Sequence, residues 1–168
     1  MEKHIDFVEA IAPAVNQMKS GGVFLSVGGP QPNTMTIGWG SIGYYWGVGV
    51  FCAVVRASRF TFEALKSQGA FTVSVPLDNS LREELAFAGR VSGRDVNKFE
   101  GHGLTARPAL KVNAPIVAEC GLHFECAVRL TSPMDPSLMD AQILRRFYAD
   151  GDMHASFFGE ILACYRTV

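Results

Sequence analysis

Apolar residues recur along the chain with two spacings, and each spacing predicts a different kind of element. Near the start, apolar residues fall at roughly helical intervals, which predicts a short helix over residues 6–19. Over residues 118–130 apolar and polar residues alternate strictly, which predicts a half-buried strand. His123 and Glu125 share the polar face of that strand, so we expect both side chains to face solvent or an interface.

Five further segments are rich in β-branched or aromatic residues and are bounded by glycine or proline, which predicts strands. They span residues 22–29, 33–40, 48–56, 70–76 and 155–168. A chain dominated by such segments predicts a mainly β fold, an antiparallel barrel with short peripheral helices.

Two segments between these strands carry helix start and stop signals. Residues 58–69 begin at Ser58, a good N-terminal cap, and end at Gly69, a good C-terminal cap. Residues 79–89 predict a second such helix, capped by Asn79 or Ser80.

Composition narrows the class of protein. The 168 residues, 48% apolar and 18% charged, predict one folded domain over residues 1–168. A net charge of −1 without a charge run gives no reason to expect a nucleic acid or membrane partner.

No apolar run approaches about 18 residues, so we expect no transmembrane helix. The four cysteines have no C-x-x-C spacing, so we expect free thiols in the cytoplasm, and the histidines lack metal-ligand spacing, so we expect no metal.

A formal match to G-x-G-x-x-G, the dinucleotide-binding pattern, occurs at residues 38–43. That pattern requires a helix to open at its last glycine. The residues that follow, YYWGVG, are aromatic and glycine-rich and do not favour a helix. We therefore interpret residues 38–49 as glycine-rich turns between strands and expect no parallel dinucleotide-binding sheet.

Polar side chains and a tryptophan follow one another at the start of the same stretch. Residues 33–36 supply amide and hydroxyl groups, and Trp39 supplies a large flat face. This mixture suits a planar heteroaromatic ligand, whose edge needs hydrogen bonds and whose face needs apolar cover. The alternative is a strand with polar residues facing water and Trp39 in the core.

Residues 56–61 concentrate groups that bind anions. Two arginines and two hydroxyls surround the start of a predicted helix, where unpaired N–H groups and the helix dipole favour negative charge. They are Arg56, Ser58, Arg59 and Thr61. Cations at this end of a helix oppose its dipole, so two arginines here call for an anion or another acidic partner. The alternative is a capped surface helix whose arginines are solvated. A polar loop at residues 92–99 adds Lys98.

The chain resembles the flavin reductase-like, FMN-binding split-barrel proteins, particularly their flavoredoxin branch. The resemblance is carried, in family order, by NTMTIGWGSIG, VVRASRFTFEAL, FTVSVP, LAFAGRVSGRDVNKF and FYADGDMHASFFGEIL. It implies a six-stranded antiparallel split barrel that forms a homodimer, with FMN near the subunit interface.

The resemblance also implies site residues. Residues along the isoalloxazine ring and ribityl chain would be Asn33, Met35, Thr36 and Trp39, and residues beside the ring would be Cys52, Ala53 and Val54. The phosphate would be held by Arg56, Ser58, Arg59 and Thr61. Lys98 would reach the flavin or its phosphate, and Asp152 and His154 would lie near the pocket. The alternative for His154 is a histidine in a strand-entry turn without a role in the site.

Two functions are compatible with this resemblance and the site residues that it implies. The first is an NAD(P)H-dependent flavin reductase-type oxidoreductase, in which NADH or NADPH donates hydride and His154 and Lys98 are the candidate catalytic residues. The second is a non-enzymatic electron carrier or FMN-binding protein that exchanges electrons with a redox protein partner.

Overall fold

The computed structural model describes residues 1–78 and 80–167. Within them it contains four α-helices and ten strands. The helices are α1 (Phe7–Ser20), α2 (Phe60–Gln68), α3 (Arg82–Arg90) and α4 (Ala141–Phe147). The strands are β1 (Glu2–His4), β2 (Val23–Val27), β3 (Asn33–Ile37), β4 (Gly40–Tyr45), β5 (Val48–Arg56), β6 (Ala70–Val75), β7 (Ala106–Arg107), β8 (Ile116–Val117), β9 (Leu122–Pro133) and β10 (His154–Thr167).

Eight strands form one antiparallel sheet in the order β3-β2-β6-β9-β10-β5-β4, with β1 added to the far end of β10. The long strands β9 and β10 join the two halves of the sheet through eleven paired positions. The expected antiparallel, mainly β fold with peripheral helices is confirmed. The sheet has eight strands rather than six, and in the described residues no ladder joins its end strands β3 and β4.

The glycine-rich stretch at 38–49 is more ordered than expected. Gly40–Tyr45 forms β4 and pairs with β5, so the interpretation of the whole stretch as turns was wrong. The turn is confined to Trp46 and Gly47, whose φ angles of 53° and 78° suit a two-residue hairpin connection. The absence of a helix opening at residue 43 is confirmed.

Helices α1, α2 and α3 follow the predicted signals except at the N-terminal caps of α2 and α3, and α4 was not predicted. Gly69 ends α2 in the left-handed conformation, as expected. Ser58 does not cap α2, because its hydroxyl donates to Asp152 and Arg59 stands at the cap position. Ser80 does not cap α3, since its hydroxyl donates to Asp78, and Asn79 lies outside the described residues.

The main core lies between the sheet and helices α1 and α2. Four fully buried phenylalanines from β5, β6, β9 and β10 anchor it, and Phe51 meets Phe124 edge-on with ring centroids 5.3 Å apart. Packing of this kind fixes the strands that carry the site, because displacing such side chains costs several kcal/mol. The four are Phe51, Phe71, Phe124 and Phe157.

The second face of β9 is buried as well, so the expectation that His123 and Glu125 face solvent or an interface was wrong. The residues before β9 fold over this face, and the Glu125 carboxylate accepts hydrogen bonds from the backbone N–H of Leu110 and from the Tyr165 hydroxyl, both at 2.7 Å. His123 lies 2.9 Å from the Cys120 carbonyl, and its burial lowers its pKa to about 4.

No helix in the described part of the chain is long and apolar enough to cross a membrane. The same residues contain no group of three or more His, Cys, Asp or Glu side chains arranged to hold a metal ion.

Candidate functional site

Two adjoining cavities lie where β3, β5 and the start of α2 meet the loop after α3. The first has a volume of about 120 Å³ and the second about 210 Å³. Met35 and Arg59 line both, so the cavities form the two ends of one groove. The residues expected to hold a planar ligand and an anion are therefore brought together.

Among the residues that the structure describes, the first cavity is lined by four cationic residues and by no aspartate or glutamate. The four are Arg59, Arg90, Arg94 and Lys98. The hydroxyls of Ser58 and Thr61 lie in the same lining, at the start of α2. In a chain of net charge −1 this is a strong local concentration of positive charge. The arrangement suits a phosphate or a similar anion.

Lys98 is the most enclosed of these cations, with 2% of its surface exposed. Its ammonium donates one hydrogen bond, of 2.8 Å, to the carbonyl of Ala88 near the end of α3. Burial, and then repulsion from Arg59, lowers the pKa of Lys98 to about 8. An anion in the cavity would favour the charged ammonium, because it would supply the opposite charge that is missing from the lining.

Asn33 holds the floor of the first cavity together. Its amide donates to the Thr61 hydroxyl over 2.9 Å, and both side chains are buried. Gly93 closes over this pair so tightly that a Cβ atom there would stand 2.4 Å from the Asn33 amide oxygen and 2.6 Å from the ring of Phe60. Glycine is thus required for the loop to approach β3.

The second cavity has mixed walls, in which Trp39 and aliphatic side chains lie beside the polar groups of Thr36, Arg56, Arg59 and His154. Trp39 is 44% exposed, meets Phe147 edge-on with ring centroids 5.1 Å apart, and lies at the same distance from the ring of His154. Thr36, also in the lining, donates its hydroxyl to the carbonyl of Leu85 at 2.6 Å. The cavity therefore offers one flat aromatic face beside both apolar and polar groups, which suits a planar ligand with a polar edge.

Arg56 lies in the second cavity but is committed to the protein itself. Its guanidinium donates to the carbonyls of Asp152 and Phe147, at 2.6 and 2.8 Å, and stands 5.3 Å from the ring centroid of Tyr148. It also forms ion pairs with Asp150 at 3.6 Å and Asp152 at 3.9 Å. These contacts fasten residues 147–152 to the end of β5.

Asp152 supplies the acidic partner that the sequence required at the start of α2. Its carboxylate accepts from the Ser58 hydroxyl at 2.6 Å and from the Ser58 backbone N–H at 3.2 Å. The next residue, Met153, accepts from the N–H of Ala57 at 3.1 Å. The expected anion-binding residues thus divide, since Arg56 and Ser58 hold an internal segment whereas Arg59 lines both cavities.

His154 begins β10 at the edge of the second cavity. Its Nδ1 lies 2.8 Å from the hydroxyl of Tyr148. Burial and the cations of Arg56 and Arg59 lower its pKa to about 4, against an opposing effect of Asp152. The ring is therefore neutral at physiological pH.

The structure places the sequence-predicted residues as follows. Those in the lining of the first cavity are Asn33, Met35, Ser58, Arg59, Thr61 and Lys98. Those in the lining of the second are Met35, Thr36, Trp39, Val54, Arg56, Arg59 and His154. Cys52 and Ala53 lie further along β5, outside both linings, and their contact with a ligand stays a prediction.

Sequence reasoning missed Arg90, Phe147 and Tyr148. Arg90 ends α3 four positions before Arg94, and that spacing of two arginines around a glycine turn was the available signal. Phe147 is the last residue of α4 and Tyr148 follows it, and no periodic pattern marked that helix in advance.

The chain matches known proteins along most of its length. A family model described as a flavin reductase like domain matches residues 16–167. An uncharacterized protein of Archaeoglobus fulgidus is 30% identical over 148 residues, covering 80% of this chain and 82% of that protein.

Two solved structures share the fold. The flavoredoxin of Desulfovibrio vulgaris (Miyazaki F) superposes with a TM-score of 0.69 at 23% identity, over 88% of this chain and 69% of its own. The NADH:FAD oxidoreductase of Streptomyces globisporus C-1027 superposes with a TM-score of 0.67 at 20% identity, over 88% of this chain and 75% of its own.

The two aspartates beside Arg56 give a matched test of how the 147–152 segment is held. Asp152→Ala removes the acceptor of two Ser58 hydrogen bonds and should lower the free energy of unfolding by about 1–2 kcal/mol. Asp150→Ala removes a solvent-exposed ion pair with Arg56 and a 3.2 Å acceptor for the Asp152 backbone N–H, and it should change the free energy of unfolding by less than about 1 kcal/mol. Urea unfolding measures both changes, and amide exchange at Ser58 should quicken only in Asp152→Ala. Equal effects of the two substitutions would show that Asp152 does not fasten the segment.

Proposed function

Because the chain belongs to the flavin reductase-like domain family, we propose that it is an FMN-binding oxidoreductase of the NAD(P)H-dependent flavin reductase type. One observation carries the proposal: among the described residues, a cavity lined by four cations and no carboxylate adjoins a cavity lined by Trp39, aliphatic side chains and a few polar groups. FMN has the same division, with a phosphate at one end and a planar ring at the other. The expected split barrel with FMN near a subunit interface belongs to the same proposal.

The first cavity would hold the phosphate. Arg59 and Lys98, which lie in its lining together with Thr61, would supply positive charge. A phosphate monoester carries up to two negative charges near neutral pH, which these two cations balance. Lys98 lines this cavity and not the second one, and this placement supports a role at the phosphate over a role at the ring.

The second cavity would hold the ring system. Met35 and Trp39 offer apolar surface, Val54 lies on the neighbouring strand, and His154 offers one polar atom at the edge. Bound FMN would supply hydride and single-electron chemistry, and the protein's part is to position the ring and the donor. The donor would be NADH or NADPH.

A non-enzymatic electron carrier is the second candidate. The exposure of Trp39 at the mouth of the second cavity favours it, because an accessible aromatic edge allows a redox protein partner to come close. The flavoredoxin and the NADH:FAD oxidoreductase share this fold, so the fold is compatible with either function.

The ligand specificity of the first cavity can be tested with Arg59. Arg59→Ala removes a charge-assisted donor, worth about 1.5–3 kcal/mol, so the affinity for FMN should fall roughly tenfold to a hundredfold. Riboflavin lacks the phosphate and should bind the wild type more weakly and be almost indifferent to the change. Quenching of flavin fluorescence measures both affinities. Arg82→Ala, at the other end of α3, is the matched control and should leave both affinities unchanged; equal losses for FMN and riboflavin in Arg59→Ala would contradict the assignment.

The reaction is tested by mixing the FMN-loaded protein with NADH or NADPH without oxygen. We expect the flavin absorbance to bleach within seconds with at least one of the two donors. Bleaching by dithionite but by neither nicotinamide would instead support the electron carrier.

A homodimer is proposed from the hairpin that joins β4 and β5. Tyr44, Tyr45 and Trp46 are 70%, 49% and 60% exposed, and the rings of Tyr45 and Trp46 pack against Phe158. A cluster of exposed aromatic side chains is typical of an interface.

Light scattering at micromolar concentration should give twice the mass of one chain. A tryptophan at the centre of an interface contributes about 2 kcal/mol or more, so Trp46→Ser should weaken the dimer roughly thirtyfold. Leu138→Ser, at a residue that is 85% exposed elsewhere on the surface, should have no effect. A wild-type monomer would contradict the proposal.

A further inference from the structure

Tyr148 is a buried tyrosine whose hydroxyl points at a site residue. It follows the last turn of α4 and is 5% exposed. Its hydroxyl lies 2.8 Å from His154 Nδ1 and 3.4 Å from the sulfur of Met134. The guanidinium of Arg56 stands over its ring, so the side chain has little freedom to turn away.

Two arrangements of protons fit these distances. In one, the Tyr148 hydroxyl donates to Nδ1, and the imidazole proton is on Nε2. In the other, Nδ1–H donates to the Tyr148 oxygen, the hydroxyl donates to the sulfur of Met134, and Nε2 is a bare acceptor. A thioether is a weak acceptor, whereas an imidazole nitrogen at 2.8 Å accepts a full-strength hydrogen bond. The first arrangement is therefore favoured.

The free nitrogen of His154 is left for a ligand. Nδ1 is taken by Tyr148, and among the described residues no hydrogen bond to Nε2 is found. His154 lines the second cavity, and its ring lies against Trp39. The remaining polar atom of the ring thus belongs to the edge of the space in which a planar ligand would lie.

We propose that Tyr148 is a positioning residue that holds His154 as a neutral imidazole whose Nε2–H donates to an acceptor, such as a carbonyl oxygen, on a ligand in the second cavity. The proposal deepens the proposed function and depends on it for the identity of the ligand. The protonation of His154 itself is a property of the protein alone.

The charged groups around His154 agree with a neutral ring. Arg56 on β5 and Arg59 before α2 disfavour an imidazolium, and Asp152 favours one. Burial is the largest effect, and the outcome is a pKa of about 4. A histidine with this pKa acts as a hydrogen-bond donor rather than as a proton source near neutral pH.

The ligand-free protein provides the decisive test. The chain has four histidines, so ¹⁵N labelling of histidine alone gives an assignable NMR spectrum. We expect wild-type His154 to show the Nε2–H tautomer at neutral pH. In Tyr148→Phe, which keeps the ring and removes only the hydroxyl, the two ¹⁵N resonances of His154 should move toward each other as the tautomers mix.

Two controls separate this effect from general disturbance. Met134→Leu removes the sulfur and should leave the His154 tautomer unchanged. His123 donates from Nε2 to the Cys120 carbonyl in a distant part of the sheet, so its resonances should be the same in all variants and report that each is folded. An Nδ1–H tautomer in the wild type, or an unchanged His154 spectrum in Tyr148→Phe, would overturn the proposal.

A second readout uses the FMN-loaded protein and the reactive nicotinamide. The loss of an oriented neutral hydrogen bond should slow flavin reduction roughly twofold to tenfold in Tyr148→Phe. For the wild type we expect no step in rate near pH 6.5, the ordinary value for histidine. A step there that disappears in His154→Gln would contradict a neutral donor. If no nicotinamide reduces the flavin, the proposed reaction fails, whereas the tautomer result still decides the role of Tyr148.

Discussion

The geometry of the site depends on the hydrogen bonds of the Arg56 guanidinium. Arg56 is the last residue of β5, and its guanidinium donates to two backbone carbonyls of the segment that leads into β10. Through these bonds the segment lies against the start of α2, where Asp152 meets Ser58. The positions of Tyr148 and His154 are fixed because this segment is held at several points. Trp39 packs against the rings of Phe147 and His154. The residue that looks most like a phosphate ligand in sequence therefore orders the wall of the neighbouring cavity.

Separation of charge gives the two cavities their different chemistry. The acidic residues near the site, Asp150 and Asp152, face Arg56 and Ser58, and neither lines the first cavity. Lys98 and Arg59 consequently line the first cavity with no carboxylate among its described lining residues, and burial, followed by repulsion from Arg59, lowers the pKa of Lys98. A buried ammonium without an opposite charge is unfavourable, and a phosphate in the cavity would reduce that penalty.

Local patterns in the sequence predicted those strands, helices and caps that depend on interactions between residues close in sequence. The strands β2, β3, β5, β6, β9 and β10, the positions of α1 and α2, and the left-handed cap at Gly69 follow from side-chain alternation, spacing and glycine, and all are present. The burial of His123 and Glu125 did not follow, because alternation shows which residues share a face but not what covers that face. The cap at Ser58 failed for a similar reason, since a carboxylate 94 positions away binds its hydroxyl more favourably than the helix N–H groups do. Arg90 and Tyr148 reach the site only through tertiary packing, which a pattern within one segment cannot show.

The walls of the second cavity differ in how they are held, and this difference bears on how a ligand and a hydride donor could share it. Hydride transfer needs the donor about 3–3.5 Å from the acceptor ring, so both must be accommodated face to face. The wall from residues 147–154 is fixed by hydrogen bonds from Arg56, Ser58 and Ala57, which would be lost if it moved. Trp39 is partly exposed and is held in this cavity by ring contacts with Phe147 and His154. Such ring contacts depend less on direction than the hydrogen bonds that hold residues 147–154 do. Moving Trp39 to widen the cavity therefore costs less free energy than moving residues 147–154. The wall formed by residues 147–154 keeps its polar atoms in fixed positions beside a bound ring.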